Sequence, residues 1–314
     1  MKKVNICFLT DDGYAMPTCV AMTSMLINKN KDSTYNIFML CINVSEENIS
    51  RFKQLEKNDF RIKIIELNDE YKKYNMEGVS ASATAMYKFH IPQILKEIDK
   101  VIYLDGDIIV NSDLYELYSI DLSNKYVGVV KDICGAIKRH YRSFIKNKIF
   151  YFNSGVMLMN LKEMRTNNIT EKLIDYRING YNELMDQDAL NYVLKDNKLE
   201  LPFKYNTQTM CTFINKNVSQ LKKLTKINDG CEDYDSVAIK SIILHYSLKN
   251  KPWKSQTGFM FDLWMYYYYK SPFNNEKMIR KNTNTNKKNN VLSKYQALKK
   301  NIRRYNFFKK FGIK

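Results

Sequence analysis

The chain predicts an α/β layer fold with a largely parallel sheet. Short strand-like apolar runs recur at 4–9 (VNICFL), 37–42 (IFMLCI), 62–67 and 101–104 (VIYL). Stretches with helical apolar spacing alternate with them, which is the pattern of helices layered on a sheet. The 314 residues, 45% hydrophobic, suffice for one large core and a prior of one or two domains.

In order along the chain, residues 4–9 read as a buried strand. Residues 16–28 follow as a helix that spaces Val20, Met22, Met25 and Leu26. After the run at 37–42, Ser45 with Glu46 and Glu47 opens a second helix, since acids favour a first turn. Residues 84–98 read as helical despite Pro92 and lead into the strand at 101–104. Beyond residue 126 the pattern is less regular, with strands expected at 127–130, 156–160 and 239–245 and helices at 170–179 and 186–196. No internal repeat is visible. Residues 1–273 form the expected main domain, and 274–290 are a polar linker of low complexity. Residues 291–314 form a basic amphipathic helix, with Val291, Tyr295, Leu298, Ile302, Tyr305 and Phe308 at helical spacing.

The net charge of +17 invites a nucleic-acid reading, but its distribution argues otherwise. Residues 270–314 hold eleven Lys, three Arg and one acid, Glu276, so +13 lies in the tail and +4 in the first 269 residues. Six cysteines, at 7, 19, 41, 134, 211 and 231, form no Cys-x-x-Cys pair; they are expected as buried, reduced thiols. The N-terminal apolar run is cut short by Asp11-Asp12, too early for a signal-peptide core, and no apolar stretch reaches the roughly 18 residues of a membrane span. A cytoplasmic protein is expected, peripheral at the inner membrane face if the tail docks on anionic lipid.

Three Asp-x-Asp sequences occur, at 105–107, 186–188 and 233–235, so context must choose among them. Only Asp105-Gly106-Asp107 directly follows a buried-looking strand and runs on into Ile108-Ile109-Val110. Two acids in an apolar frame are costly unless paired or bound to metal. Their hard oxygens suit Mg²⁺ or Mn²⁺, which would neutralise a diphosphate leaving group. Gly106 leaves space for a ligand to approach the backbone. A surface turn capped by Asp is the plain alternative. His245, ending the run Ile242-Ile243-Leu244, is the candidate third ligand, and imidazole favours Mn²⁺. A lone histidine at a strand end is more often structural, so this role depends on the acids. Lys251 can steady phosphate as a point charge, although the local sequence alone favours a solvated lysine in a loop.

At this point the chain resembles glycosyltransferase family 8. Five blocks over roughly residues 4–253 carry the resemblance: FLTDDGYAMP at 8–17, KVIYLDGDIIV at 100–110, YFNSGVMLMNL at 151–161, MDQDALN at 185–191 and HYSLKNKPW at 245–253. The resemblance implies a GT-A fold, a Rossmann-like mixed sheet flanked by helices. It also implies a UDP-sugar donor, Mn²⁺ and retention of the anomeric configuration. Asp11 matches the acid that holds uracil, Tyr14 the ring stacked on it, and Asp105, Asp107 and His245 the metal ligands. Lys251 matches the phosphate-binding lysine, which reverses the local reading. Thr10, Lys88 and Gly106 complete the donor side, and Asn153, Asp186 and Gln187 match residues lining the sugar and acceptor side. Three positions depart from the family: Gly13 where a polar residue is common, Lys88 where Arg is common, and Leu248 where many relatives have Gly. Leucine resists positive φ, so the loop at 248 is expected to take a different path.

The implied reaction moves galactose or glucose from UDP to a glycan or glycolipid. Gln187, an amide, stands where a double displacement would need a carboxylate. Front-face attack by the acceptor hydroxyl is therefore expected, with Asp186 orienting a sugar and Asp188 as the alternative carboxylate. The competing classes are a sugar nucleotidyltransferase, which would release pyrophosphate, and a nucleic-acid binder resting on charge alone. The first strand is followed by Thr10-Asp11-Asp12-Gly13 rather than a long glycine-rich phosphate loop, which argues against the former.

Overall fold

Each apolar run of the first hundred residues forms a strand. In a computed structural model that describes residues 2–67, 83–132, 150–179, 185–209, 233–247, 251–254 and 260–274, β1 spans Lys2–Asp11, β2 Ser33–Ile42, β3 Phe60–Glu66 and β4 Lys100–Leu104. Later come β6 (Val127–Lys131), β7 (Phe152–Asn160) and β8 (Lys198–Glu200), after the short β5 (Ile108–Val110). The main sheet has seven strands in the order β3-β2-β1-β4-β7-β6-β8. Pairing is parallel from β3 to β4 and between β6 and β8, and antiparallel where β7 meets β4 and β6. The sheet is therefore mixed, with its parallel half at the N-terminus.

Both faces of β1 are covered, which is why its sequence reads as a continuous apolar run. Val4, Ile6 and Phe8 share a core with Cys19, Val20 and Met22 of α1 (Ala15–Asn28). Cys7 and Leu9 join Tyr87, Phe89 and Leu190 in a second core on the opposite face. Helix α2 (Glu46–Lys53) starts as expected at Ser45, whose side chain accepts from the Asn48 backbone N–H. Residues 83–90 form a 3₁₀ segment that passes into the short α3 (Ile91–Ile94), where Pro92 occupies a first-turn position. Proline is tolerated there because its missing N–H would be unpaired anyway. The expected helix to residue 98 thus ends four residues early.

A short helix, α4 (Tyr115–Tyr118), and the pair α5 (Leu161–Thr166) and α6 (Ile169–Asn179) flank the sheet. Helix α7 spans Met185–Val193, so Asp186 and Asp188 sit inside its first turn, and the helix expected at 186–196 ends three residues early. Ile108–Val110, into which the acidic pair runs on, joins a second sheet, β5-β10-β9, with β9 at Thr207–Gln208 and β10 at Ile243–His245. One further expectation is corrected. Residues 239 and 240 do not begin a strand; they close α8 (Tyr234–Lys240), capped by a reciprocal Asp233–Ser236 box. Val237-Ala238-Ile239 belongs to the helix end and Ile242-Ile243-Leu244 leads into the strand, with Lys240-Ser241 between them. A last helix, α9 (Phe261–Lys270), packs on α1.

Polar residues of α1 serve the second sheet. The Val110 N–H donates to Ser24 Oγ at 2.9 Å, and Asn28 Nδ2 donates to the Val110 carbonyl at 2.7 Å. The edge of β5 is thus satisfied without another strand. Among the described residues Cys7, Cys19 and Cys41 are free and buried, and burial pushes the Cys41 thiol up to about 12. Cys134, Cys211, Cys231, Leu248 and the tail at 275–314 lie outside the described residues. No helix among the described residues is long and apolar enough to cross a membrane.

Lys198, at the start of β8, is 8% exposed, and its Nζ has no hydrogen-bond partner. It lies 4.6 Å from the Phe150 ring centroid and 5.5 Å from that of Phe152. Burial lowers its pKa to about 8. A depressed lysine means the unfolded chain binds the extra proton between pH 8 and 10.5, so stability should rise with pH across that window. Lys198→Met should raise stability at neutral pH by about 1 kcal/mol, discounted for partial solvation and for the ring contacts. In urea titrations the gain should shrink as the pH passes from 8 to 10.5.

Candidate active site

Asp105 and Asp107 stand on either side of the bend that carries the chain from one sheet to the other. The Asp105 N–H donates to the Gly155 carbonyl on β7 at 2.8 Å, and the Asp107 carbonyl accepts from the Tyr246 N–H after β10 at 2.9 Å. Between them Gly106 passes against α1, where a Cβ would overlap Thr18 Oγ1. Thr18 Oγ1 in turn meets Thr10 Oγ1 at 3.2 Å, which places Thr10 behind this bend. Register then delivers the histidine: His245 faces Ile108 across the β5–β10 pair, one residue from Asp107.

The three expected metal ligands do come together. One ligand atom from each of Asp105, Asp107 and His245 lies within 4.8 Å of the others. That is near the span bridged by one cation with bonds of about 2.0–2.2 Å. Gly155 makes the room: a Cβ there would overlap His245 Cε1 and stand 2.7 Å from Asp105 Oδ2. Two hard carboxylates, an imidazole and a cradle that a methyl group would fill suit a divalent cation.

Cations surround the pair. Lys88, 5% exposed, bridges Asp105 Oδ1 at 3.1 Å and Asp186 Oδ2 at 2.9 Å. Burial would lower its pKa, but the two carboxylates outweigh burial and raise it above the usual lysine value. Asp105 Oδ1 also accepts from the Tyr103 hydroxyl at 2.7 Å. Asp107, 6% exposed, meets His245 Nε2 at 3.2 Å and Lys251 Nζ at 2.5 Å. Burial alone would raise the Asp107 carboxyl, yet His245 and Lys251 hold it well below the ordinary carboxylate range. Lys251 also donates to the Tyr246 carbonyl at 2.6 Å, so it is fixed rather than solvated.

On the opposite side of Asp105, Asn153, Asp186, Gln187 and Asp188 cluster where β7 meets the start of α7. Asp186 Oδ2 accepts from Ser154 Oγ at 3.0 Å as well as from Lys88. Asp188 Oδ1 accepts from the Tyr151 hydroxyl at 2.6 Å. The Gln187 amide oxygen accepts from Asn153 Nδ2 at 3.2 Å and the Ser154 N–H at 3.1 Å, and its nitrogen donates to Asp132 at 3.0 Å. Asp11 lies at the end of β1, where its carboxylate accepts from the Tyr14 N–H at 3.0 Å and caps a single 3₁₀ turn. The half-buried Tyr14 ring meets Trp253 edge-on, with centroids 5.8 Å apart.

Among the described residues, sequence reasoning missed Tyr103, Ser154, Gly155, Asp132 and Asn206. Tyr103 carried a signal, since period two along a strand puts it on the Asp105 side. Asn206 carried none: it becomes a neighbour of His245 only when β9 pairs with β10. The other two Asp-x-Asp sequences are accounted for by helix starts, Asp233 capping α8 and Asp186 and Asp188 opening α7.

Comparison with known proteins bears on the family and the fold. The model of the family described as Glycosyl transferase family 8 matches residues 5–257. General stress protein A of Bacillus subtilis (strain 168) is 28% identical over an alignment covering 81% of this chain and 88% of its own length. A lipopolysaccharide 1,2-glucosyltransferase of Escherichia coli K12 is 26% identical, covering 80% of this chain and 72% of its own. The crystal structure of the galactosyltransferase LgtC, in complex with donor and acceptor sugar analogs, superimposes with a TM-score of 0.70 at 21% identity. That superposition covers 91% of this chain and 99% of the other, and at such identity the likeness is one of fold.

Proposed function

The chain belongs to glycosyltransferase family 8 and is a glycosyltransferase of GT-A fold, and from that premise we propose that it moves glucose or galactose from a UDP-sugar to a glycan or glycolipid hydroxyl, with Mn²⁺ and with retention. The observation that carries the reading is the Asp105–Asp107–His245 group, flanked by Lys88 and Lys251 where β4 ends. Bound there, a divalent cation would supply a Lewis acid for the diphosphate. The names of the Escherichia coli glucosyltransferase and of LgtC favour a hexose donor.

This chain's own residues then have the following roles. Asp11 and Tyr14 receive the uracil, and Thr10 and Gly106 shape the floor beneath it. Lys251 presents a fixed positive charge to the departing diphosphate, and Lys88 a second one on the sugar side. Gln187 is a neutral amide whose oxygen already accepts two N–H groups, so it is a poor nucleophile. The Asp186 and Asp188 carboxylates are held by Lys88 with Ser154 and by Tyr151. These engagements favour attack from the face that UDP leaves. The acceptor oxygen bonds to the anomeric carbon as the bond to the phosphate oxygen breaks, and that phosphate oxygen takes the acceptor's proton. Asn153 and Asp186 orient the sugars.

A panel of UDP-sugars with Mn²⁺, read as UDP release, tests the proposal. One UDP-hexose should be turned over well above the rest; no release from any sugar would sink it. The basic segment 291–314 would dock on anionic lipid at the cytoplasmic face and bring a glycolipid acceptor within reach. In liposome sedimentation, the full chain should pellet with anionic vesicles and a chain ending at residue 273 should stay in solution. Equal pelleting removes the membrane role.

A further inference from the structure

One chain of side-chain hydrogen bonds joins the imidazole of His245 to the amide of Gln187. His245 Nδ1 meets Asn206 Oδ1 at 3.0 Å. Asn206 Nδ2 donates to Asn153 Oδ1 at 2.9 Å, Asn153 Nδ2 to Gln187 Oε1 at 3.2 Å, and Gln187 Nε2 to Asp132 Oδ2 at 3.0 Å. Asn206 is fully buried, at 0% exposure, between the 3₁₀ turn Phe203–Tyr205 and β9.

The direction of this chain is forced. An amide can present its oxygen or its nitrogen, and only its partners decide which. Two backbone groups decide here. The Gly155 N–H donates to Asn153 Oδ1 at 3.1 Å, and the Ser154 N–H donates to Gln187 Oε1 at 3.1 Å. Asn153 therefore offers an oxygen to Asn206, so Asn206 must answer with its nitrogen and turn its own oxygen to the imidazole. That oxygen can only accept, which puts the proton on Nδ1 and leaves Nε2 facing Asp107. Reversing any one amide would set like atoms against each other in a buried site.

We propose that Asn206 is a positioning residue that fixes the His245 ring and tautomer for metal binding and ties that choice to the orientation of Asn153 and Gln187. The proposal rests on the metal reading above. Strand pairing does not need this side chain, because the Thr209 N–H already donates to the His245 carbonyl at 2.8 Å. Outer partners that orient a ligating histidine typically carry a 10–100-fold share of metal affinity.

The test is a calorimetric titration of Mn²⁺, with UDP present, into the full-length chain and its Asn206→Leu and Asn206→Asp variants. Metal-free melting curves and donor turnover are recorded alongside. Asn206→Leu should weaken Mn²⁺ by about 10–100-fold. Asn206→Asp should keep Mn²⁺ affinity, since a carboxylate still accepts the Nδ1 proton. It should nonetheless lose kcat, because Asn153 must turn over to donate to the new carboxylate and so abandons Gln187. Unchanged Mn²⁺ affinity in Asn206→Leu, or equal loss in both variants, overturns the role, and a drop in melting temperature alone marks Asn206 as merely structural. If the unsubstituted protein takes up no Mn²⁺, the metal reading itself fails and this proposal falls with it.

Discussion

Asp107→Asn is expected to lower kcat/KM for the donor by about 10³-fold, a loss of about 4 kcal/mol in transition-state stabilisation. The substitution keeps size and shape and removes one negative charge. In the folded protein that charge faces His245 Nε2 and Lys251 Nζ from opposite oxygens. An asparagine can turn its oxygen to Lys251 and its amide nitrogen to His245 Nε2, but it carries no charge to offset the buried lysine. It also offers a far weaker ligand to a divalent ion. Stability should fall too, and the sign follows from the depressed carboxyl. Its contribution is complete above the ordinary value of 3.8 and is lost as the pH falls through the lower folded value. The variant's deficit should therefore be present at neutral pH and vanish in strong acid. Initial-rate measurements of UDP release, with a melting curve to show that the variant folds, check both parts.

Lys88→Met should produce the largest loss of stability, about 3 kcal/mol in urea titrations. Among the described residues Lys88 is the one cation between Asp105 and Asp186, and Asp186 is itself buried. Removing one partner of a buried ionic group strands the others without compensation, which typically costs about 3–5 kcal/mol. The lower end applies here because the Asp105 side chain is 29% exposed and Ser154 still donates to Asp186. A raised lysine contributes fully below 10.5 and fades only as the pH climbs through its folded value, so the deficit should be flat across the neutral range. Lys88→Arg keeps the charge and should lose less. A change below about 1 kcal/mol would mean that the bridge is as weak as an exposed ion pair.

The parts of the fold visible in the sequence were those set by local pattern. Residues 4–9 read as buried because both faces of β1 are covered, and Ser45 with two following acids marked the start of α2. Asp105 and Asp107 stood out because acids after a buried strand are costly and thus informative, and His245 because it ends an apolar run. What stayed hidden depends on distant segments meeting. Ile108–Val110 looks like more of β4, yet the bend at Gly106 and the polar side chains of Ser24 and Asn28 redirect it into another sheet. The Asp233–Ser236 box and the polar Lys240-Ser241 pair could have separated α8 from β10, but Ile239 looks like part of the β-branched segment that follows. Asn206 sits in the polar stretch Lys204-Tyr205-Asn206-Thr207, where no period or motif distinguishes it from a turn residue. Its part in the site follows from strand pairing between β9 and β10 alone.

The most direct test of the account is a calorimetric titration of UDP into the full chain with Mn²⁺, with a chelator in place of Mn²⁺, and into Asp107→Asn with Mn²⁺. If Asp105, Asp107 and His245 hold a divalent cation against the diphosphate, UDP binds in the first titration and loses most of its affinity in the other two. UDP binding that survives both chelation and the substitution would contradict the account.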